Sequence, residues 1–376
     1  MRNRNCALRV WGLPLMTLIL AATPTLLYSA PAPNSFIQHN LVSDIPGLAA
    51  YTDPDLVNPW GIAFSGASPF WVADNHTGLA TLYNTFGVKQ GLVVSIPPAG
   101  ASAPTGQIFN PFGSDFGGGH FIFSTEGGTI ASWTGGTSAS LSFTSPNGAI
   151  YKGLAIATNN GNHYLYATDF HNGAVDVFDT NFNKVSLGGS FTDPNLPAGY
   201  APFGIQTSGG QLFVSYALQD AAKEDDVACA GCGFVDVFDA NGNLIQRLIS
   251  DGALNAPWGM AWAPNGFGPF SGKLLVGNFG DGTINVYDPA TGTWIAQLLG
   301  KNGNPIENDG LWDLKFGNGG NGGFQNVLYF SAGINDEENG LFGQIAATPE
   351  PGTLTLLGSG LISLLGYGWS RAKQRS

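Results

Sequence analysis

The chain has 376 residues, of which 55 are glycine and 23 are proline, and its formal net charge is −12. Only 11% of the residues are charged and 12% are aromatic, which excludes a disordered protein because such chains are rich in charge and poor in aromatic residues. The acidic balance also argues against nucleic acid as a partner, since phosphate groups need a basic surface.

The N-terminal segment has the pattern of an export signal. Three arginines precede an apolar stretch from Trp11 to Leu27, and small residues follow it up to Ala32. A charged start, an apolar middle and a small-residue end are the three parts of a secretory signal peptide. We therefore predict a signal peptide over residues 1–32. A permanent signal anchor is the alternative that the same pattern allows.

A short motif recurs six times in the middle of the chain, with starts 45 to 55 residues apart. The clearest copies are NPWGIAF at Asn58, APFGIQT at Ala201 and APWGMAW at Ala256, and looser copies begin at Ala103, Tyr151 and Gly310. A second apolar run follows each start, and a third often ends in an aromatic residue and Asp. Six units of about four strands predict an all-β, six-bladed propeller over residues 33–346. A two-sheet sandwich is the alternative, but that fold does not repeat one motif six times.

The two ends of the repeat array complement each other. After the sixth start only two more strands fit, Val327 to Ala332 and Leu341 to Ala346, whereas Phe36 to Val42 is a spare strand before the first start. We predict that this spare strand becomes the outer strand of blade six. The ring would then be closed by pairing, which protects an otherwise open sheet edge.

One acidic residue per blade lies near the end of the second strand. In antiparallel geometry this end meets the start of the first strand, so these residues gather on one face of the ring. They are Asp74, Glu126, Asp169, Asp220, Asp281 and Asp336. Rings of oxygen ligands suit calcium, so a calcium site at the mouth of the central channel is one hypothesis. Asp beside Gly also caps tight hairpins, and this turn role is the simpler explanation.

The longest insertion within a blade runs over residues 219–233 and contains Glu224, Asp225 and Asp226 before Cys229 and Cys232. These are the only cysteines left after signal removal, and an exported protein is in an oxidising compartment, so we predict a local disulfide. A redox-active pair is the alternative, but it needs a helix N-terminus in a βαβ unit.

Catalytic signatures are absent from the sequence. The five histidines show no H-E-x-x-H spacing, and there is no nucleophile elbow, P-loop or dinucleotide fingerprint. Trp60, Trp258 and Trp312 recur at strand starts, where they pack blades or form a ligand platform.

The C-terminal tail, residues 347–376, has three parts in order. They are Pro349, Glu350 and Pro351, an apolar run over residues 353–369, and the basic residues Arg371, Lys373 and Arg375. The apolar run predicts a single transmembrane helix, and the basic residues predict a cytoplasmic end that stops transfer. A buried C-terminal helix is the alternative.

This tail resembles the PEP-CTERM sorting signal of Gram-negative bacteria. The resemblance implies an exosortase as partner, a membrane peptidase that cuts near the Pro-Glu-Pro and releases the protein or re-attaches it at the cell surface. It also implies transient residence in the inner membrane. The tail indicates where the protein is sent and does not indicate the activity of the remaining chain.

The middle of the chain resembles a bacterial family of NHL-like six-bladed propellers that often carries this tail. The motifs NPWGIAF at Asn58, FWVADN at Phe70, GFVDVFD at Gly233 and NDEENG at Asn335 carry the resemblance. It implies the fold and brings no activity with it. The related lactonase-like propellers hold a metal near the channel mouth.

These observations favour an exported, non-catalytic binding module at the cell surface or in the extracellular matrix, with a polysaccharide or protein as its ligand. The alternative is a calcium-dependent, lactonase- or lyase-like hydrolase with its site at the central channel. A third hypothesis is a structural component of exopolysaccharide or biofilm.

Overall fold

The computed structural model describes residues 34–98 and 102–348. Six sheets form a six-bladed β-propeller, with two short 3-10 helices at Phe116–Gly118 and Gly268–Phe270. Blade one contains β3 (Pro59–Ala63), β4 (Phe70–Asp74), β5 (Leu79–Tyr83) and β6 (Lys89–Ser95). Blade two contains β7 (Pro104–Phe109), β8 (Phe121–Thr125), β9 (Thr129–Trp133) and β10 (Ser140–Thr144). Blade three contains β11 (Tyr151–Asn159), β12 (Asn162–Asp169), β13 (Ala174–Phe178) and β14 (Lys184–Val185).

Blades four to six follow the same order. Blade four contains β15 (Tyr200–Ser208), β16 (Gln211–Leu218), β17 (Phe234–Asp239) and β18 (Leu244–Ser250). Blade five contains β19 (Pro257–Trp262), β20 (Leu274–Asn278), β21 (Ile284–Tyr287) and β22 (Trp294–Gln297). Blade six contains β23 (Leu311–Phe316), β24 (Leu328–Ala332) and β25 (Leu341–Ala347), together with β1 (Phe36–Ser43) and β2 (Tyr51–Thr52). The predicted six repeats of about four strands are confirmed.

The hydrophobic core lies between neighbouring blades. The inner strands are buried on both faces, as in β4, whereas outer strands such as β10 are largely exposed. Aromatic residues fill the space between sheets; Trp71 of blade one, for example, stacks on Phe121 of blade two with ring centroids 4.1 Å apart. This burial explains why the second-strand sequences are continuous apolar runs without alternation.

Each innermost strand has a register shift at the same place, just after the repeated motif begins. Five blades have glycine there: Gly61, Gly106, Gly153, Gly204 and Gly259. A Cβ atom on Gly259 would lie 2.4 Å from the carbonyl oxygen of Trp312 in the next blade, and one on Gly204 would lie 2.2 Å from that of Trp258. The recurrent glycine is therefore needed for the close approach of neighbouring inner strands.

Blade six has Asp313 at this position, where it joins the last blade to the first. The Asp313 carboxylate accepts hydrogen bonds from the backbone N–H groups of Ile62 and Leu314, both at 2.8 Å. Burial raises the pKa of Asp313 above its ordinary value. A side chain thus replaces the close backbone contact of the other five junctions.

The ring is closed by the spare strand predicted from the sequence. β1 pairs antiparallel with β25, from Phe36 opposite Ala347 to Ser43 opposite Leu341. The first described strand is therefore hydrogen-bonded to the last.

The predicted signal peptide, the Pro-Glu-Pro motif, the apolar run and its basic cluster lie outside the described residues. Within residues 34–98 and 102–348, no helix has the length and apolar character needed to span a bilayer. The domain boundaries at residues 32 and 346 remain proposals.

Candidate functional site

The starts of the inner strands and the ends of the second strands lie at one end of the ring, because these strands are antiparallel neighbours. A cavity of about 490 Å³ opens there, which we call the mouth. It is lined by His76, Glu126, Ile150, Glu224, Asp225, Asp336 and Glu337. Five of these residues are acidic and none is a lysine or arginine, so the mouth has a negative potential.

A buried lysine lies beside these acids. The Lys152 side chain is 2% exposed, and its Nζ lies 2.5 Å from Glu126 Oε1 and 3.1 Å from Asp225 Oδ1. Burial disfavours the ammonium, but the charges of Glu126 and Asp225 outweigh burial and raise the pKa of Lys152. Lys152 therefore stays protonated and fixes two carboxylates from different blades.

Aromatic side chains fill the channel next to the mouth. Trp60 stacks on Trp312 with ring centroids 3.4 Å apart, and Trp258 meets both rings edge-on. Lys152 Nζ lies 5.1 Å from the centre of the Trp60 ring, within the range of a cation–π contact. All three tryptophans are buried, so they pack the channel and do not form an exposed platform.

Glu337 is held at the mouth by residues of two blades. Asn58 Nδ2 donates to Glu337 Oε2 at 2.6 Å, and Asn58 Oδ1 accepts from Trp312 Nε1 at 3.0 Å. Burial, followed by the charge of Glu126, raises the pKa of Glu337 to about 7, although the Asn58 hydrogen bond acts in the opposite direction. Glu337 can therefore gain or lose a proton near neutral pH.

The insertion over residues 219–233 forms part of the mouth wall. Gln219 Nε2 donates to the carbonyl oxygen of Phe170 at 2.5 Å, so the loop from blade four is attached to blade three. Cys229 and Cys232 are disulfide-bonded, with Cα atoms 5.3 Å apart. Asp226 lies between Gln219 and the disulfide, and burial raises its pKa to about 7.

The six acids predicted as a ring do not share one cavity. Glu126 and Asp336 line the mouth, as does His76, whereas the remaining four acids are not among the lining residues. Asp74 is fully buried at the end of β4, and neither of its carboxylate oxygens has a hydrogen-bond partner among the described residues.

The remaining three acids have local partners, as the turn explanation expects. Asp169 accepts from the backbone N–H and Nδ2 of Asn172 at 3.1 and 2.8 Å. Asp281 accepts from Thr283 Oγ1 at 2.7 Å. Asp220 accepts from the backbone N–H of Glu224 at 2.9 Å and so shapes the loop that carries Asp225 to Lys152.

No group of three or more His, Cys, Asp or Glu side chains in the described part of the chain is arranged to hold a metal ion. Calcium binding at the mouth remains a prediction, and a thermal melt in EDTA and then in calcium tests it. Tight binding would raise the melting temperature, because a ligand at about 100 times its Kd adds about 2.7 kcal/mol of stability.

Sequence reasoning missed Lys152 and Glu337. The residue before the recurrent glycine, or before Asp313 in blade six, is Trp60, Thr105, Lys152, Phe203, Trp258 and Trp312 in the six repeats. Lys152 is the only lysine among these six aligned residues, and this difference was the signal that the sequence offered. Glu337 lies in the NDEENG motif, but nothing in the sequence distinguished it from its acidic neighbours, because its contact is with Asn58, which is 279 residues away.

Residues 347–372 match the family model of the PEP-CTERM protein-sorting motif. This match covers the tail alone and supports the sorting signal predicted there. It implies export, sorting to the cell surface and exosortase-related processing.

Two proteins of Acanthamoeba polyphaga mimivirus, described as "Uncharacterized protein R648" and "Uncharacterized protein L690", are each 34% identical to this chain. The alignments cover 81% of this chain and 78% and 84% of the two relatives. The chain belongs to the family of these two proteins. Because these family members are viral, they do not confirm the bacterial, NHL-like assignment.

Solved structures with the same architecture include a protein described as glucose dehydrogenase, with a TM-score of 0.53, and a streptogramin B lyase, with a TM-score of 0.52. Each is 14% identical to this chain and covers 83% of it, over 100% and 98% of their own lengths. Identity this low shows a shared propeller fold only.

Proposed function

We propose that this protein is an exported propeller, displayed at the cell surface or in the extracellular matrix, that binds a positively charged ligand at its mouth without catalysing a reaction. The observation that carries this proposal is the lining of the mouth. Its five acids are offset by one buried cation, Lys152. The excess negative charge attracts a cationic ligand and repels a polyanion.

An amino sugar with a protonated amine fits this chemistry and the proposed location. The cavity of about 490 Å³ lies within the range of small-molecule sites. Asp336 supplies a carboxylate for the amine, Glu337 adds a second one when the bound cation favours its ionised form, and the remaining acids accept sugar hydroxyl groups. The proposed ligand is therefore a matrix polysaccharide that contains free amino sugars.

Calorimetric titration with a glucosamine tetramer and with its N-acetylated counterpart tests this proposal. We expect binding of the cationic tetramer only, weakened by added salt. The double variant Asp336→Asn/Glu337→Gln should weaken binding by about tenfold or more, since each charged hydrogen bond contributes about 1.5–3 kcal/mol. The matched control is Glu307→Gln, which removes an exposed acid outside the mouth and should bind as wild type. Equal affinity for the two tetramers, or no binding, would contradict the proposal.

The alternative function is a lactonase- or lyase-like hydrolase with its site at the same mouth. The observation that favours it is Glu337, whose pKa of about 7 suits a group that transfers protons near neutral pH. We expect no turnover in a screen of lactones, esters and glycans. Turnover that is lost in Glu337→Gln, with the melting temperature unchanged, would establish the enzyme and remove the non-catalytic proposal.

Processing of the tail is proposed to occur near Pro349, by an exosortase, while the tail is in the inner membrane. The match to the sorting motif supports this step. Mass spectrometry of the exported form should find a C-terminus close to Pro349, and a product that still contains Trp369 would contradict it.

A further inference from the structure

A second cavity, of about 260 Å³, lies at the opposite end of the ring, where the inner strands end. We call it the exit chamber. Its walls are mainly apolar, and they include Ala63, Phe64, Ile108, Phe109, Leu154 and Ala155 from blades one, two and three. An apolar chamber of this size has the volume of about nine water molecules, enough for a short aliphatic chain.

One lysine lies in this apolar wall. Lys315 of β23 is partly buried, and its Nζ donates to Gln206 Oε1 of blade four at 3.4 Å. Within residues 34–98 and 102–348, Lys315 has no carboxylate within 4.0 Å. Asp313, two residues away, is already bonded to the backbone N–H groups of Ile62 and Leu314. Lys315 is therefore a positive charge that makes no ion pair in the described part of the chain, although its charge acts on Asp313.

Gln107 gives an independent indication of a ligand. It lines the exit chamber and is 4% exposed. Its Nε2 donates to the carbonyl oxygens of Gly61 and Trp71, both at 2.6 Å, which fixes the orientation of the amide. Its Oε1 is buried and has no partner among the described residues. A buried acceptor without a partner calls for an explanation, such as a bound water or a ligand donor.

We propose that the exit chamber binds a short aliphatic hydroxycarboxylate. The apolar walls take the chain, and the carboxylate pairs with the Lys315 ammonium beside the Gln206 amide. The ligand hydroxyl donates towards Gln107. This site is at the other end of the ring from the mouth and has the opposite charge preference, so it does not depend on the proposed function.

Calorimetric titration of the exported protein with 3-hydroxyoctanoate, octanoate and 2-octanol tests the site. We expect affinity to fall in that order, because octanoate lacks the hydroxyl contact and 2-octanol lacks the stronger, charge-assisted contact with Lys315. Lys315→Met should weaken both carboxylates by about tenfold or more, the effect of losing a charge-assisted hydrogen bond, and should leave 2-octanol unchanged. Lys315→Arg should retain carboxylate binding. The matched control, Lys301→Met, removes an exposed lysine and should have no effect.

The absence of carboxylate binding, or equal carboxylate affinity in wild type and in a Lys315→Met protein that melts at the wild-type temperature, would overturn the proposal. If octanoate binds as tightly as 3-hydroxyoctanoate, the role of Gln107 is wrong and the hydroxyl is not recognised. Neither result bears on glucosamine binding at the mouth, so failure here and failure of the proposed function are distinguishable.

Discussion

Lys152 illustrates how a buried charge in this propeller depends on residues from several blades. Its ammonium is paired with Glu126 of blade two and Asp225 of the blade-four insertion, and it lies over the ring of Trp60 of blade one. Removing both carboxylates would leave an unpaired cation in a site that is almost closed to water, which is costly. This arrangement of residues from four blades positions two of the five mouth acids.

A second buried carboxylate predicts how stability changes with pH. Asp236 of β17 is fully buried beside Tyr216 and Asp193, and Arg247 Nε lies 3.7 Å away. Burial, followed by the charge of Asp193, raises the pKa of Asp236 to about 7. In the unfolded chain an Asp has a pKa of about 3.9.

Between these two pKa values the folded protein binds the proton and the unfolded chain does not. The contribution of Asp236 to the free energy of unfolding is therefore largest below pH 4, falls as the pH rises from about 4 to about 7, and is constant above that. Over this range the contribution of Asp236 to the free energy of unfolding falls by up to about 1.4 kcal/mol per pH unit. Asp236→Asn should remove this slope, measured as the difference between the two proteins in urea unfolding from pH 4 to pH 8. Parallel curves would contradict the prediction.

Residue-level sequence reasoning succeeded where the cause was local and failed where it was distant. Asp169 and Asp281 cap hairpins within three residues of themselves, so the turn explanation was available from the sequence. The chemistry of Glu337 depends on burial and on Asn58. No short-range pattern records such contacts.

The repeated element is a strand with a register shift, and its glycine is an interface residue. The motif predicted the blades because the same close approach of inner strands recurs between neighbouring blades. The sixth junction breaks the rule with Asp313, which the sequence showed as an irregular copy, but its bonds to blade one could not be inferred without the closed ring. Strand limits were predicted well where apolar runs are continuous, as in β24, whose observed start differs by one residue from the predicted Val327.

Gly259→Ala should destabilise the propeller, because the new Cβ would lie 2.4 Å from the Trp312 carbonyl oxygen of the next blade. We expect a loss of about 1–3 kcal/mol or more in the free energy of unfolding, measured in urea. Gly91→Ala is the matched control: Gly91 lies in β6, and a Cβ there meets nothing within 4 Å. Equal effects of the two substitutions would show that glycine at the junction is not required for close approach.

At the scale of the whole molecule, one strand holds the ring together. β1 covers the edge of β25, and its Phe36 and Val42 are buried in two separate clusters of the core. Its loss would expose both an unpaired strand edge and apolar surface.

A chain that begins at residue 45 should therefore melt about 10 °C or more below one that begins at residue 34, since several buried apolar side chains are lost together. It should also self-associate in size-exclusion chromatography. A monomer with an unchanged melting temperature would show that β1 is dispensable and that the remaining strands close the ring.

The pairing of β1 with β25 also determines which part of the chain completes the fold. Phe36 lies near the start of the described chain but pairs with Ala347 near its end, and Thr348 donates its backbone N–H to the carbonyl oxygen of Ser35 at 2.9 Å. Ala347 is also the first residue matched by the sorting motif. The ring can close only when Leu341–Ala347 is available to pair with β1, so the last pairing of the fold lies beside the segment that the sorting motif matches. Completion of the fold therefore depends on the residues at which the sorting motif begins.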